Sequence, residues 1–62
     1  MNKMKAYRFL KNKTQDDLMA LTGIDQSRIS RIERDVLKPT EEEKKKIATA
    51  LRTKLKKLFP EP

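Results

Sequence analysis

Apolar residues recur every three or four positions through most of the chain, which is the period of amphipathic α-helices. In the first such segment, about residues 3–11, Met4, Tyr7 and Leu10 fall on one face. No stretch alternates apolar and polar residues over the length of a strand. The pattern therefore predicts an all-α protein.

The second predicted helix has recognisable signals at both ends. Thr14 is a suitable N-cap, and Asp16 and Asp17 would lie in the positively polarised first turn. Gly23, the only glycine in the chain, suits the left-handed conformation that often follows a helix. We therefore expect helix 2 at about residues 15–22.

A third helix is predicted almost immediately afterwards. Asp25 is a candidate N-cap, and Ile29, Ile32 and Val36 recur at helical spacing on an inward face. These signals place helix 3 at about residues 26–34. Two short helices joined by a brief turn that contains Gly form a helix-turn-helix, although helical hairpins in bundles can show the same spacing.

Two further helices are predicted in the last third of the chain. Thr40 and Glu43 have the spacing of a capping box at the start of helix 4. A short final helix has Thr53 as its candidate cap. Its apolar side chains are those of Leu55, Leu58 and Phe59.

The length of 62 residues suits one domain, residues 1–62, and we expect no further domain after the final Pro-Glu-Pro. Cys and His are absent, which excludes disulfides and Cys/His zinc sites. We expect no metal, no cofactor and no enzymatic activity. No apolar run approaches the roughly 20 residues of a membrane span, so we expect a soluble cytoplasmic protein.

The net charge of +7 favours a polyanionic partner, with nucleic acid ahead of an anionic membrane surface or an acidic protein. Residues 1–15 contain five Lys or Arg and no acid. In residues 41–46, three Glu precede three Lys, which is the ordinary arrangement along a solvated helix face. We therefore assign no binding role to that segment.

The outward face of predicted helix 3 carries polar and basic side chains and no carboxylate. These side chains belong to Gln26, Ser27, Arg28, Ser30, Arg31 and Arg34. Arg and Gln can each form two hydrogen bonds with a base edge, and Ser can bond to several bases. A purely solubilising face normally mixes both signs of charge, so the pattern favours DNA binding over that alternative.

Glu33 lies close to the predicted inward face of helix 3, where an acid requires a partner. Arg8 is one candidate, and a solvent-exposed lysine is the other.

Two stretches of the sequence resemble the helix-turn-helix of the lambda-repressor/Cro-like, or Xre, family: TQDDLMALTGIDQSRISRIERDVLKPT (14–40) and IATALRTKLKKLF (47–59). The positions that carry the resemblance are Thr14-Gln15, Leu18, Gly23, Ile29, Ile32-Glu33, Pro39, Ile47-Ala48, Leu51 and Leu58. It implies a compact four- to five-helix domain that inserts helix 3 into the major groove of double-stranded DNA. It also implies a transcriptional repressor or activator that usually binds a two-fold operator as a dimer.

The resemblance also implies roles for individual residues. Gln26 and Ser27 match a pair that reaches bases, and Arg31 matches a base-reading position one turn further along. Gln15 matches a phosphate-contacting glutamine, and Arg34 matches a backbone-contacting position. Lys38, which follows the recognition helix, is a further candidate for the DNA backbone. Arg8 and Glu33 match a buried salt-bridge pair.

Three departures from the family pattern concern structure rather than recognition. Asp35 stands where the family usually has Gly after helix 3. Residues 52–54 replace a break that usually contains Gly, so the sequence leaves open whether helices 4 and 5 are separate or continuous. Polar residues occupy commonly apolar positions at Lys13, Thr22 and Lys44, which reduces a small core.

A protein-interaction module, antitoxin-like or adaptor-like, is the alternative function, with the basic and apolar segment 44–59 as its contact surface. For a DNA-binding homodimer, formed either in solution or only on DNA, the candidate interface is Leu55, Leu58 and Phe59. Completion of the core is the competing role for these three side chains. Of the three aromatic residues, only Phe9 is expected to be exposed, which disfavours an RNA-stacking surface.

Overall fold

The computed structural model describes residues 2–60, and within them it contains five α-helices and no strand. The helices are α1 (Met4–Leu10), α2 (Gln15–Thr22), α3 (Gln26–Glu33), α4 (Glu41–Leu51) and α5 (Leu55–Leu58). α2 packs against both α3 and α4, and α5 packs against α4. This architecture confirms the expected all-α domain of four to five helices.

Local hydrogen bonds fix the ends of α2. The Thr14 hydroxyl accepts from the Asp17 amide at 3.0 Å, and the Asp17 carboxylate accepts from the Thr14 amide at 2.8 Å. At the other end, Gly23 has φ of 76° and donates its N–H to the Met19 carbonyl at 2.8 Å. No atom lies within 4 Å of a Cβ built at Gly23, so the positive φ alone favours glycine there.

A single hydrophobic core joins all five helices and the α2–α3 turn. Its buried members are Met4, Leu18, Ile24, Ile29, Ile32, Ile47, Ala48, Leu51, Leu58 and Phe59. Thr22 is buried beside them, and its hydroxyl donates to the Leu18 carbonyl at 2.6 Å while accepting from the Ile24 amide at 3.1 Å. The polar residue at this core position therefore leaves no unpaired group.

Helices α4 and α5 are separate, so the alternative of one continuous helix is wrong. Arg52 adopts φ of 51°, and the Thr53 amide bonds back to the Ala48 carbonyl at 3.0 Å. A left-handed residue therefore ends α4 without glycine. The predicted cap of α5 is also wrong, because Lys54 is the N-cap and the Thr53 hydroxyl donates to the Leu51 carbonyl at 3.0 Å.

The apolar residues of α5 belong to the core. Leu58 is 0% exposed and Phe59 is 7% exposed, while Leu55 is half-buried against the same cluster. The Lys3 amide donates to the Leu58 carbonyl at 2.8 Å and ties this helix to the start of the chain. Leu58 and Phe59 therefore take the competing role in the core, and Leu55 alone of the three keeps partly exposed apolar surface.

Two side chains predicted to face inward are exposed instead. Leu10 is 70% exposed at the last position of α1, and Val36 is 67% exposed. Val36 lies outside α3 because that helix ends at Glu33 and Asp35 turns the chain with φ of 59°. The helical period therefore no longer applies at Val36. Phe9 is exposed, as predicted, at 60%.

Candidate nucleic-acid interface

Helix α3 is anchored on one side and open on the other. Ile29 and Ile32 are 0% exposed, and they hold the helix against the core. Glu33, the one acid within α3, has a side chain only 3% exposed. The predicted DNA-contacting residues that are exposed on or beyond this helix are Gln26, Ser27, Arg31, Arg34 and Lys38. The outward face of the helix therefore presents polar and cationic groups.

The buried acid at the end of α3 is neutralised by α1. The Nε of Arg8 lies 2.6 Å from one Glu33 carboxylate oxygen, and its Nη2 lies 3.2 Å from the other. The Arg8 side chain is 8% exposed, and its Nη1 donates to the Lys13 carbonyl at 3.0 Å. This two-bond geometry satisfies a charge pair that has little access to water.

The same carboxylate orients Gln15, the first residue of α2. The Gln15 side-chain amide donates to Glu33 Oε1 at 3.1 Å, which leaves the Gln15 carbonyl oxygen facing α3. That oxygen lies 3.5 Å from the donating side-chain nitrogen of Gln26. A hydrogen-bonded path therefore leads from the buried pair to the first residue of the proposed recognition helix.

Ser27 is held by the N-cap of α3. The Asp25 carboxylate accepts from the Ser27 amide at 3.0 Å and from its hydroxyl at 2.5 Å. These two bonds lower the pKa of the Asp25 carboxyl, so the acid stays ionised at neutral pH. With its hydrogen donated to Asp25, the Ser27 oxygen can only accept from a base.

Arg28 points toward α4 instead of lying free on the outward face. Its Nε and Nη2 donate to the two Glu43 carboxylate oxygens at 2.5 and 3.0 Å. Glu43 also accepts from the Thr40 amide at 2.9 Å, which completes the capping box of α4. The hydrogen bonds from Arg28 lower the pKa of Glu43 to about 2, against the opposing effect of burial.

The Arg28–Glu43 pair was missed by sequence reasoning, which placed Arg28 among the DNA contacts. The capping-box spacing of Thr40 and Glu43 located the carboxylate, but nothing in the sequence indicated that α3 would reach it. The pair ties α3 to the start of α4, so Arg28 has a structural partner in Glu43.

Asn2 is a second contact that the sequence did not indicate. Its side-chain amide donates to the Ile32 carbonyl at 2.7 Å and to the Asp35 carboxylate at 3.0 Å. The Ile32 carbonyl, which also accepts from the Asp35 amide at 3.1 Å, thereby gains a second donor beside the left-handed Asp35 that replaces the usual glycine. The segment that precedes α1 therefore helps to set the path by which the chain leaves α3.

Residues 2–60 contain neither a candidate metal-binding cluster nor a candidate membrane-spanning helix. No group of three or more acids in that range could hold a metal ion. None of the helices in the same range has the length and apolar character needed to cross a bilayer.

A comparison with known protein families covers all five helices of the domain. A family model described as "Helix-turn-helix" matches residues 4–58, a range that includes all five helices. No curated protein matches the sequence. Because the family match covers nearly the entire chain, the protein belongs to the Xre/lambda-repressor-like helix-turn-helix family of DNA-binding regulators.

Proposed function

We propose that this protein, a single helix-turn-helix domain over residues 1–62, is a sequence-specific regulator of transcription that reads the major groove of double-stranded DNA with α3. The observation that carries the proposal is the outward face of α3, where polar and cationic side chains are exposed while the only acid of the helix is buried and paired. An α-helix fits the major groove of B-DNA, and such a face meets both base edges and phosphates.

Three residues at the exposed side of α3 are the proposed base readers. Arg31 suits a guanine, which offers two acceptors, and Gln26 suits an adenine, which offers a donor and an acceptor. Ser27 suits an amino group of adenine or cytosine, because its own hydrogen is directed at Asp25. The Gln15–Gln26 contact supports this assignment by limiting the orientations open to Gln26.

A second set of residues is proposed to contact the DNA backbone. Arg34 and Lys38 are exposed at and beyond the end of α3, where phosphates flanking the groove would lie. Gln15 retains one amide hydrogen that is not directed at Glu33, and it is available to a phosphate oxygen. Arg28 is proposed to act indirectly, by holding α3 against α4 through Glu43.

Two copies are proposed to bind one two-fold operator. A single recognition helix reads only a few base pairs, so members of such families bind half-sites about one helical turn apart. The charge of +7 opposes association of free copies, and DNA removes that repulsion. We therefore expect pairing on DNA, action in the cytoplasm, and repression where the operator overlaps a promoter.

The proposal is tested by selecting bound duplexes from a random pool with the full chain. We expect a symmetric motif, and the Arg31→Ala variant should lose preference at one position of each half-site. Lys57→Ala, which removes an exposed cation from α5, is the matched control and should select the unchanged motif. A pool without enrichment, or an identical motif from Arg31→Ala, would refute reading by α3.

A further inference from the structure

A cationic groove runs beside the C-terminal halves of α2 and α4. Basic side chains from the α1–α2 turn and from α4 line it, and no acidic side chain does. The basic residues are Lys11, Lys13, Lys45, Lys46 and Arg52. Leu21, which is 56% exposed, and the half-buried Ala50 add apolar surface between them. The groove therefore combines positive charge with apolar surface open to solvent.

Acidic side chains within residues 2–60 neutralise little of the positive charge in this groove. Among its five basic residues, only Lys46 has an acidic partner there, Glu42 at 3.4 Å, and both side chains are more than half exposed. Such an ion pair contributes little and is readily exchanged for another. Like charges gathered in one groove repel each other, and an acidic partner would relieve that repulsion.

The groove is distinct from the proposed DNA-contacting face. None of the proposed base or phosphate contacts lines it. Leu21 and Thr22 lie in the last turn of α2, roughly 9 Å along the helix axis from Gln15 at its start. A partner could therefore occupy the groove while α3 is bound to DNA.

We propose that the groove binds an acidic amphipathic segment of a partner protein. Apolar side chains of that segment would pack on Leu21 and Ala50, and its carboxylates would pair with the surrounding cations. A phosphate backbone supplies the charge but little apolar surface for Leu21, and a second copy of this chain carries +7 itself. This inference gives the protein-interaction alternative a physical site, and it does not depend on reading of DNA by α3.

The test uses the full chain and a fluorescent helical peptide with a leucine stripe flanked by glutamates. A scrambled peptide of the same composition is the reference, and fluorescence anisotropy at about 0.15 M salt measures binding with distant charges screened. We expect the amphipathic peptide to bind about tenfold more tightly than the scrambled one, because only it aligns apolar and acidic groups with the groove.

Matched variants separate the groove from net charge and from general hydrophobicity. Lys11→Glu with Lys45→Glu should weaken amphipathic-peptide binding about tenfold, because both charges lie in the groove. Lys56→Glu with Lys57→Glu changes the net charge equally on exposed positions of α5 and should change binding less than about twofold. Leu21→Ser should lower the preference over the scrambled peptide, whereas Leu10→Ser, at an exposed leucine outside the groove, should not. Circular dichroism confirms that each variant is folded.

Four results would overturn the proposal. The first is no preference for the amphipathic peptide, and the second is an equal loss in both charge-reversed pairs, which would leave only net charge. The third is displacement of the peptide by unrelated duplex DNA, together with a larger loss of duplex affinity in the groove pair than in the control pair. The fourth is self-association of the wild-type chain in sedimentation that the groove pair abolishes, which would assign the groove to a second copy.

Discussion

Removing either partner of the Arg8–Glu33 pair should strongly destabilise the protein. The two side chains are 8% and 3% exposed, so a single substitution leaves an uncompensated charge where water has little access. Breaking a pair of this kind typically costs about 3–5 kcal/mol. A domain of this length is stabilised by only about 3–9 kcal/mol, from roughly 0.05–0.15 kcal/mol per residue. Either Arg8→Met or Glu33→Leu should therefore remove most of the free energy of unfolding.

The double variant Arg8→Met with Glu33→Leu should recover much of this loss, because no buried charge remains. Recovery should be incomplete, since the Gln15 amide and the Lys13 carbonyl each lose a hydrogen-bond partner. An unpaired buried group costs about 1–3 kcal/mol, and both groups lie near the low end because Gln15 and Lys13 are only half-buried and water can reach them. We therefore expect the double variant within about 2 kcal/mol of the wild type.

Urea and thermal denaturation, followed by circular dichroism, measure these effects. Glu33→Gln is included because it keeps the shape of the side chain while removing its charge, and Arg34→Met is the control for loss of an exposed arginine. The reasoning is refuted if Glu33→Gln and Arg8→Met each lower the free energy of unfolding by less than about 1 kcal/mol, the range of an exposed pair. Additive effects in the double variant would refute it as well, because coupled partners must deviate from additivity.

Three further predictions concern the proposed base contacts, the proposed phosphate contacts and the Glu43 carboxylate. Arg31→Ala and Gln26→Ala should each weaken binding to the preferred duplex by about 1–3 kcal/mol and relax selection at one base position, as measured by mobility shift and repeated selection. Arg34→Ala and Lys38→Ala should instead weaken all duplexes about equally and reduce the slope of log affinity against log salt by roughly one unit each; an unchanged slope would contradict a phosphate contact. Glu43 has a folded-state pKa of about 2 against an ordinary value of 4.5, so its stabilising effect is complete above pH 4.5 and is lost as pH falls through about 2. Above pH 4.5 the wild type should therefore be more stable than Glu43→Gln, by no more than about 1 kcal/mol because water screens the pair. Acid titration of the free energy of unfolding should show this difference shrinking as pH falls through about 2, and a difference that grows with acidity would contradict this assignment.

Features set by neighbouring residues could be predicted from the sequence. The capping residues Thr14 and Thr40 located the starts of α2 and α4, because a cap forms between groups three residues apart. Gly23 likewise located the end of α2, since its positive φ is a property of one residue. The inward positions of Ile29 and Ile32 followed from helical period alone.

Features set by tertiary contacts could not be predicted in this way. Nothing near Arg28 in the sequence indicates that Glu43, fifteen residues later, would meet its guanidinium. The break between α4 and α5 was left open because Arg52 adopts a left-handed conformation that is uncommon for residues other than glycine. The burial of Leu58 and Phe59 depends on that turn, since it directs α5 back onto the core.

The position of α3 rests on polar contacts as much as on its apolar face. Only Ile29 and Ile32 anchor α3 in the core. Two ion pairs supplement them, from Glu33 at its last residue to α1 and from Arg28 in its first turn to α4. Both pairs also remove carboxylates from competition with DNA, because Glu33 and Glu43 are each already bound to an arginine. The contacts that hold α3 in place are therefore the same ones that leave its outward face free of unpaired negative charge between Gln26 and Glu33.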